Sequence, residues 1–194
     1  MSWFHGSTEL VTAPHHASPA EIVACFGNQR SFLERLAFLI TGDQKTAEQS
    51  VSDACEITLH GNSPFSDWLL EWAKAATVSA AISLRGSEIR TWEAMYGNQR
   101  CPHVEHLGQL DDEPRAARLA FILGVDTQTL IAELDPLSRA ILILRNAIRC
   151  SIQDCSLRLN VSRAAVIAAN CRAMTWLDHR FCRQEEDEDV SQTL

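Results

Sequence analysis

Cysteine and histidine side chains form the pattern in this chain that most resembles a metal site. Cys101, His103 and His106 lie close together, and His179 and Cys182 follow near the C-terminal end. Thiolates and imidazoles are the ligands that Zn²⁺ prefers. Structural zinc sites usually contain a CxxC pair, however, and this sequence has none. We therefore predict no metal site and no cofactor.

The remaining cysteines have no regular spacing, and most of them stand inside apolar helical patterns. A free thiol in such a position behaves as a small hydrophobic side chain. We therefore expect reduced core thiols rather than disulfides. The seven cysteines are Cys25, Cys55, Cys101, Cys150, Cys155, Cys171 and Cys182.

Catalytic motifs are missing from the sequence. It contains no Gly-rich phosphate loop, no GxSxG elbow, no HExxH helix and no paired catalytic carboxylates. Glu105 with His103 and His106 is the best acid/base candidate, but it stands in a polar stretch that offers no rigid scaffold. We predict that the chain is not an enzyme and has no catalytic residues.

Composition restricts the setting in which these residues act. The 194 residues contain 46% hydrophobic side chains, and no apolar run reaches the roughly 18 residues that suggest a membrane span. The N-terminal stretch lacks the basic start and apolar block of a secretory signal, so we expect a cytoplasmic protein without membrane contacts. The formal charge of −8 argues against indiscriminate nucleic-acid binding, since phosphate contacts need clustered bases.

Apolar residues recur at helical spacing along most of the chain, and strand-like alternation is almost absent, so the sequence predicts an all-α fold. Ser18, Pro19 and Glu21 indicate the first helix start, and Gly42 a chain reversal. We predict two helical domains with these boundaries: a flexible extension (1–18), a first helical domain (19–95), a polar linker (96–115), a second helical domain (116–182) and an acidic tail (183–194).

The stretch from Ser151 to Leu177 predicts two helices joined by a tight turn. Asn160 stands where the chain must reverse, and Asn tolerates the left-handed conformation that ends a helix. Ser162 can cap the next helix with its hydroxyl. A preceding helix, DPLSRAILILRNAIRC, packs across this pair, so the sequence predicts a helix-turn-helix.

This C-terminal stretch resembles the promoter-reading domain of the extracytoplasmic-function sigma factors of bacterial RNA polymerase. The typical sequence of that family is LPPRQREVFLLR, followed by a spacer and then by YEEIAARLGVS and TVKSRLHRARARL. Asn160 replaces the family glycine. The matching positions are Asp154, Leu159, Val161, Ser162, Val166, Arg172, Ala173 and Leu177.

An upstream block, RSFLERLAFLITGDQKTAEQSVSDACEITLHG, is similar to the other sigma domain, which the family writes LYRLALRLTGDRADAEDLVQEAFLRAWR. Spacing alone predicts an outward polar stripe on one helix, formed by Glu48, Gln49, Ser52 and Asp53. The resemblance implies that this stripe binds core RNA polymerase. Without the resemblance, a solvated helix face is the simpler interpretation.

The next segment, SPFSDWLLEWAKAATVSAAISLRGSEIR, is similar to the sigma segment that holds the melted promoter strand. The resemblance implies promoter-melting roles for Phe65, Trp68, Trp72 and Lys74, since aromatic faces with nearby cations suit single-stranded bases. Two positions depart from the family: Glu71 stands for an arginine and Ala75 for an asparagine. Aromatics at this spacing also occur in helical cores.

The predicted recognition helix determines whether DNA binding is retained. Its packed face should contain Val166, Ala169, Asn170, Ala173 and Leu177, and its opposite face Ala164, Ala168, Cys171 and Thr175. The family has lysine or arginine at the positions where this chain has Ile167, Ala169, Met174 and Trp176. An exposed face of small apolar residues suits a protein partner better than DNA. The DNA-binding candidates are Ser162, Arg163, Ala164, Ile167, Ala168, Cys171 and Arg172.

Two functions therefore stay open. The first is a sigma-factor-like transcription initiation protein that binds core RNA polymerase and directs it, weakly, to promoter DNA. The second is a sigma-like regulatory interaction protein that has lost promoter recognition and binds a protein partner. An anti-sigma or other regulatory protein is a further partner that the family implies. The acidic run 185–189 either forms a solvated tail or competes with DNA for Arg180 and Arg183.

Overall fold

The computed structural model describes residues 15–96, 122–124 and 126–191. Their backbone is mostly helical, which confirms the all-α class. Within these ranges, extended pairing is limited to one isolated antiparallel bridge between His16 and Phe65. No helix in the described ranges combines the length and apolarity that crossing a membrane requires.

Besides residues 122–124, which are also helical, the described ranges contain eight α-helices with defined bounds and one short 3₁₀ turn. They are α1 (Pro19–Asn28), α2 (Arg30–Thr41), α3 (Gln44–His60), the 3₁₀ turn (Ser66–Trp68), α4 (Leu69–Tyr96), α5 (Thr127–Glu133), α6 (Pro136–Asn146), α7 (Ile152–Leu159) and α8 (Arg163–Ser191).

Local sequence signals account for the helix ends of the N-terminal half. Ser18 and Glu21 form a reciprocal capping box before Pro19 at the start of α1. Helix α2 ends at Gly42, which has a φ of 67°, a conformation that glycine adopts without the strain of a Cβ. Asp43 then caps α3 by accepting from the Thr46 amide at 2.8 Å. The predicted helix start and chain reversal are confirmed.

The turn between α7 and α8 also follows its sequence signals. Ser151 and Asp154 form a capping box at the start of α7. Asn160 ends α7 in the left-handed conformation, with φ 51° and ψ 49°. The Ser162 hydroxyl accepts from the Ala165 amide at 3.2 Å and caps α8. The geometry predicted for these two residues is confirmed.

Helix α8 continues farther than the sequence suggests. Its backbone is helical through Ser191, whereas the acidic run 185–189 predicts an unstructured tail. Glutamate is a good helix former, and no glycine or proline interrupts the stretch that follows Leu177. The helix therefore extends into the segment predicted as tail.

One buried hydrophobic cluster contains side chains from both predicted domains. Leu36, Ile40 and Ile82 from the N-terminal helices pack in the same cluster as Leu137 and Ile141 of α6. A second cluster, built around Phe26 and Leu33, belongs to the N-terminal helices. The two halves therefore share a core. The division into two domains stays a prediction, and residues 97–115 of the predicted linker lie outside the described ranges.

Arg139 of α6 joins these halves from inside the core. It is 5% exposed, and its Nε donates to the Leu39 carbonyl at 2.9 Å. Its Nη1 donates to the carbonyls of Ile131 and Leu134 at 3.1 Å and 2.7 Å. These carbonyls lie at the C-terminal ends of α2 and α5, where a helix lacks internal donors and attracts a cation. One guanidinium thus caps two helices.

Candidate functional site

A polar surface follows the outward side of α3, and we call it the α3 face. Glu48, Gln49 and Ser52 are exposed, and Asp53 is half-buried. The Gln49 amide donates to the Asp53 carboxylate at 2.6 Å, and the Ser52 hydroxyl donates to the Glu48 carbonyl at 3.2 Å. Glu48 and Asp53 are five residues apart, so at roughly 100° per residue their carboxylates stand at the two edges of the face. Each can accept hydrogen bonds from a basic partner. The predicted outward stripe is present.

Aromatic side chains stand at the turn that leads into α4. Trp68 is 70% exposed and Phe65 is also exposed. Their ring centroids lie 6.3 Å apart in an edge-to-face arrangement. Two exposed rings on a turn can offer stacking surfaces to planar groups such as bases.

One face of Phe65 is already occupied by the chain itself. The His16 ring stacks on Phe65 with centroids 4.4 Å apart. Backbone bonds fix this contact, because the Ala17 amide donates to the Pro64 carbonyl at 2.8 Å and the Ser66 amide to the His15 carbonyl at 3.0 Å. The sequence treats residues 1–18 as a flexible extension, but residues 15–17 are held against this turn.

The other two promoter-melting candidates have different surroundings. Trp72 is partly exposed, and its Nε1 donates to the Thr58 hydroxyl at 3.3 Å. Lys74 forms an ion pair with Glu71 at 2.6 Å, and its side chain is 14% exposed. Its Nζ also lies 5.7 Å from the centroid of the Phe32 ring. Glu71 and partial burial therefore hold the Lys74 ammonium, and its promoter-melting role stays a prediction.

The N-terminal end of α8 meets the C-terminal part of α4. The Ser162 amide donates to the Glu93 carboxylate at 2.6 Å. A carboxylate is favoured there because a helix N-terminus exposes unpaired amides and carries the positive end of the helix dipole. Those properties would equally attract a DNA phosphate. In this arrangement Glu93 occupies the position.

The remaining candidates on α8 divide by burial. Arg163 and Ala164 are exposed and Ile167 is half-buried. Ala168 and Cys171, by contrast, are 4% and 5% exposed. The predicted exposed face of small apolar residues is therefore wrong at these two positions. The helical wheel correctly buries the face that contains Val166 and Leu177, but α8 is also covered on its other side.

Arg172 is held by contacts within the chain. Its Nε donates to the Asp135 carboxylate at 2.9 Å and to the Ser138 hydroxyl at 3.2 Å. Its guanidinium carbon lies 6.0 Å from the centroid of the Tyr96 ring. The prediction that Arg172 reads DNA therefore requires this ion pair to break.

Two of the cysteines interact with each other, which their sequence spacing does not reveal. Cys150 and Cys155 are buried, free thiols at the start of α7. A hydrogen bond between them lowers the pKa of Cys150 to about 7. The same bond, together with burial, raises the pKa of Cys155. Cys171 is disulfide-bonded, so the expectation of reduced core thiols is wrong for that residue.

The sequence also misses a groove between α3, α4 and α7, which we call the α3–α4–α7 groove. Its volume is about 390 Å³. Large apolar side chains, small side chains and two charged ones line it: Asp53, Ile57, Trp72, Ala75, Ala76, Ser79, Ala80, Ser83, Leu84 and Arg158. Apolar residues at helical spacing could have indicated an exposed apolar surface on α3 and α4. They could not have indicated the groove itself, because Arg158 of α7 forms part of its wall.

The metal candidates Cys101, His103 and His106 lie outside the described ranges, as does the acid/base candidate Glu105. Within those ranges, no group of three or more His, Cys, Asp or Glu side chains is arranged to hold a metal ion.

Comparison with known proteins returns no relative. The chain matches no protein-family profile, no curated protein and no solved structure.

Proposed function

We propose that this chain is a sigma-factor-like transcription protein that binds core RNA polymerase through the α3 face and reads promoter DNA weakly. The observation that carries the proposal is the exposure of Glu48, Gln49 and Ser52 beside Asp53. These are the positions at which the resemblance places the polymerase contact. In the same proposal α7 and α8 form the helix-turn-helix, supported by the αL turn at Asn160.

Promoter reading is weak in this proposal because few basic side chains are accessible in the first turns of α8. Arg163 is exposed at the start of α8, while Arg172 is paired with Asp135. A good bidentate contact to a base edge contributes about 1–3 kcal/mol of discrimination. A helix that presents one arginine over its first turns therefore discriminates poorly between promoters.

Polymerase binding tests the proposal directly. Glu48→Lys reverses the charge of an exposed side chain on the α3 face, and we expect it to weaken co-purification with bacterial core RNA polymerase. Asp53→Lys should act in the same direction. Asp67→Lys is the matched control, because Asp67 is exposed but lies before α4. Thermal stability should change little, since surface substitutions usually alter stability by less than about 0.5 kcal/mol. Binding that survives both α3 substitutions contradicts the proposal.

A second function is a sigma-like regulatory protein that binds a protein partner and no longer recognises promoters. The Arg172–Asp135 ion pair and the burial of Ala168 and Cys171 favour the loss of promoter recognition. The same burial removes these two residues from the apolar face that the sequence offers to a protein partner, so the partner would bind elsewhere. In this alternative the chain associates with polymerase or with a regulatory partner, and no new transcripts appear. Transcription from a genomic DNA library, with core polymerase and the purified chain, distinguishes the two functions.

DNA binding itself is measured by fluorescence anisotropy against salt. Of the arginines at positions 163 and 172, Arg163 alone is exposed, so this part of α8 should contribute a slope of about −0.9 in log affinity against log salt. Ala164→Arg and Ile167→Lys add bases at accessible positions and should steepen the slope. Ala169, where the family carries a base, is fully buried and is unsuitable for that test. An unchanged slope in a folded double variant favours the second function.

A further inference from the structure

We infer that the α3–α4–α7 groove is a binding site for a small anionic amphiphile, a free molecule with an apolar body and one carboxylate or sulfonate group. The inference does not rest on the proposed function, although Asp53 and Trp72 belong both to this groove and to the sites proposed for polymerase and promoter DNA. It rests on the shape of the groove, on its apolar walls and on the position of Arg158.

The groove has the size and lining of a ligand site. Its volume of about 390 Å³ lies within the range of roughly 300–1,000 Å³ that is typical of small-molecule pockets. Ile57 is 64% exposed, and Trp72 and Leu84 are each 45% exposed. Large apolar side chains that surround one concavity indicate a binding site, whereas single exposed ones are common on protein surfaces. An apolar ligand body would remove all three from water.

Small side chains of α4 form a continuous strip along the groove. Ala76, Ser79, Ala80 and Ser83 all line it and recur at three- and four-residue spacing, which places them on one side of the helix. This strip leaves room between the larger walls. The Trp72 ring is oriented by the bond from its Nε1 to the Thr58 hydroxyl at 3.3 Å, so a flat apolar surface is already in place.

Arg158 supplies the charge that selects an anion. It lines the groove from α7 and donates from Nη1 to the neutral Ser79 hydroxyl at 3.2 Å. None of the ion pairs found among the described residues involves Arg158. Guanidinium groups bind carboxylate and sulfonate oxygens through strong charge-assisted bonds. The charge of Arg158 also acts on Asp154, one turn away on α7, and a ligand anion in the groove would give the guanidinium a partner on the side where it now meets the neutral Ser79 hydroxyl.

Asp53 lines the same groove and provides a second test, in which a change of charge should have the opposite effect on ligand affinity. Its Oδ1 accepts from the Gln49 amide at 2.6 Å, and its negative charge opposes an anionic ligand. Removing the charge of Arg158 should therefore weaken binding, and removing that of Asp53 should strengthen it. A non-specific apolar surface would respond to neither change.

Fluorescence titration with 8-anilino-1-naphthalenesulfonate tests the site on the full chain, and decanoate serves as the competing aliphatic carboxylate. Saturable enhancement that decanoate reverses is the expected result. Arg158→Gln should weaken binding roughly tenfold, the factor expected for one bond to a charged group. Arg163→Gln, which removes an exposed arginine outside the groove, should leave affinity unchanged. Asp53→Asn should strengthen binding about twofold, as expected for one partly solvated like charge.

A filling substitution locates the probe. Ser83→Phe adds a ring inside the groove and should abolish binding, while Ser87→Phe adds the same ring on α4 outside the lining residues and should not. Both serines are exposed, so neither variant depends on repacking a core, and unchanged circular dichroism checks their folding.

Three outcomes would overturn the inference. The first is the absence of saturable probe binding by the folded wild-type chain. The second is probe binding by both Arg158→Gln and Ser83→Phe that is as strong as binding by the wild-type chain, which would place the probe outside the groove. The third is Arg158-dependent sedimentation with anionic phosphatidylglycerol vesicles without displacement by decanoate, which would assign the surface to a membrane rather than to a free ligand.

Discussion

Arg139 allows a quantitative test of how the two halves of the chain are held together. Its guanidinium donates to three carbonyls at the ends of α2 and α5, at 2.7–3.1 Å. We propose to replace it with methionine, which keeps the apolar stem and removes every donor. The carbonyls of Leu39, Ile131 and Leu134 then lose this partner inside the core.

The expected magnitude follows from these bonds. A hydrogen bond to a charged group stabilises a protein by about 1.5–3 kcal/mol, so three bonds set an upper limit of about 9 kcal/mol. Burying a guanidinium costs several kcal/mol, and methionine avoids that cost. Burial also lowers the pKa of Arg139, which shows that desolvation opposes the charged form. We expect Arg139→Met to lower the free energy of unfolding by about 3 kcal/mol.

Lysine at this position should give an intermediate loss of about 1–2 kcal/mol, because one ammonium cannot match the fork of donors that a guanidinium presents. Arg163→Met is the control, since Arg163 is exposed and should change stability by less than about 0.5 kcal/mol.

The assay is urea unfolding followed by circular dichroism at 222 nm, with the free energy and its urea dependence fitted for each variant. A loss for Arg139→Met no larger than that of Arg163→Met would refute the view that this side chain caps two helices. Loss of a single cooperative transition in Arg139→Met would show that the two halves unfold separately once it is removed.

Three further predictions concern local features. Ser18→Ala removes the hydroxyl half of the capping box and should cost about 1 kcal/mol. The pKa of Glu21 is lowered to about 2, first by the backbone amide and then by the hydroxyl of Ser18; because alanine keeps the amide, the pKa should return only part of the way toward 4.5, as NMR titration can check. Because the pKa of Glu21 is depressed in the folded state, its stabilisation is present above the unfolded value near 4.5 and is lost as pH falls toward 2. The difference in unfolding free energy between wild type and Ser18→Ala should therefore shrink as pH falls from 4.5 toward 2. A difference that does not depend on pH would contradict this. Gly42→Ala should cost about 1–2 kcal/mol, because Gly42 has a φ of 67° and an L-residue is strained there; thermal unfolding measures it, and a neutral substitution would be inconsistent with that conformation. Ala168→Arg should destabilise the fold by more than about 2 kcal/mol because Ala168 is buried, whereas Ala164→Arg should be near neutral; equal effects in urea unfolding would mean that the two alanines are equally exposed.

Much of the local structure could be predicted because short-range interactions decide it. Ser18 with Glu21, Gly42, Asn160 and Ser162 each act on backbone within a few residues, and all adopt the expected roles. The α3 face is equally local, because its four members follow from helical spacing once α3 exists.

The site on α8 was only partly predictable. The apolar stripe that contains Val166 and Leu177 indicates one packed face, and that face is buried. The burial of Ala168 and Cys171 depends on contacts from the other side, and the sequence of α8 carries no signal for them. The pairing of Arg172 with Asp135 likewise joins α8 to the residue that caps α6, which lies far away in the sequence.

The sequence by itself determined the helices, their caps and the polar face of α3, because backbone hydrogen bonds, side-chain caps and periodicity act over one or two turns. Tertiary structure alone decided which charges remain accessible. Arg139 and Arg172 look alike as basic residues in helical patterns, yet three carbonyls hold the first and Asp135 pairs with the second. Lys74 is different, because its partner Glu71 lies three residues away on the same helix and helical spacing alone could have indicated that pair. Arg158 instead faces a groove. The physical reason is that the surroundings of a charge depend on which surfaces meet when the helices pack.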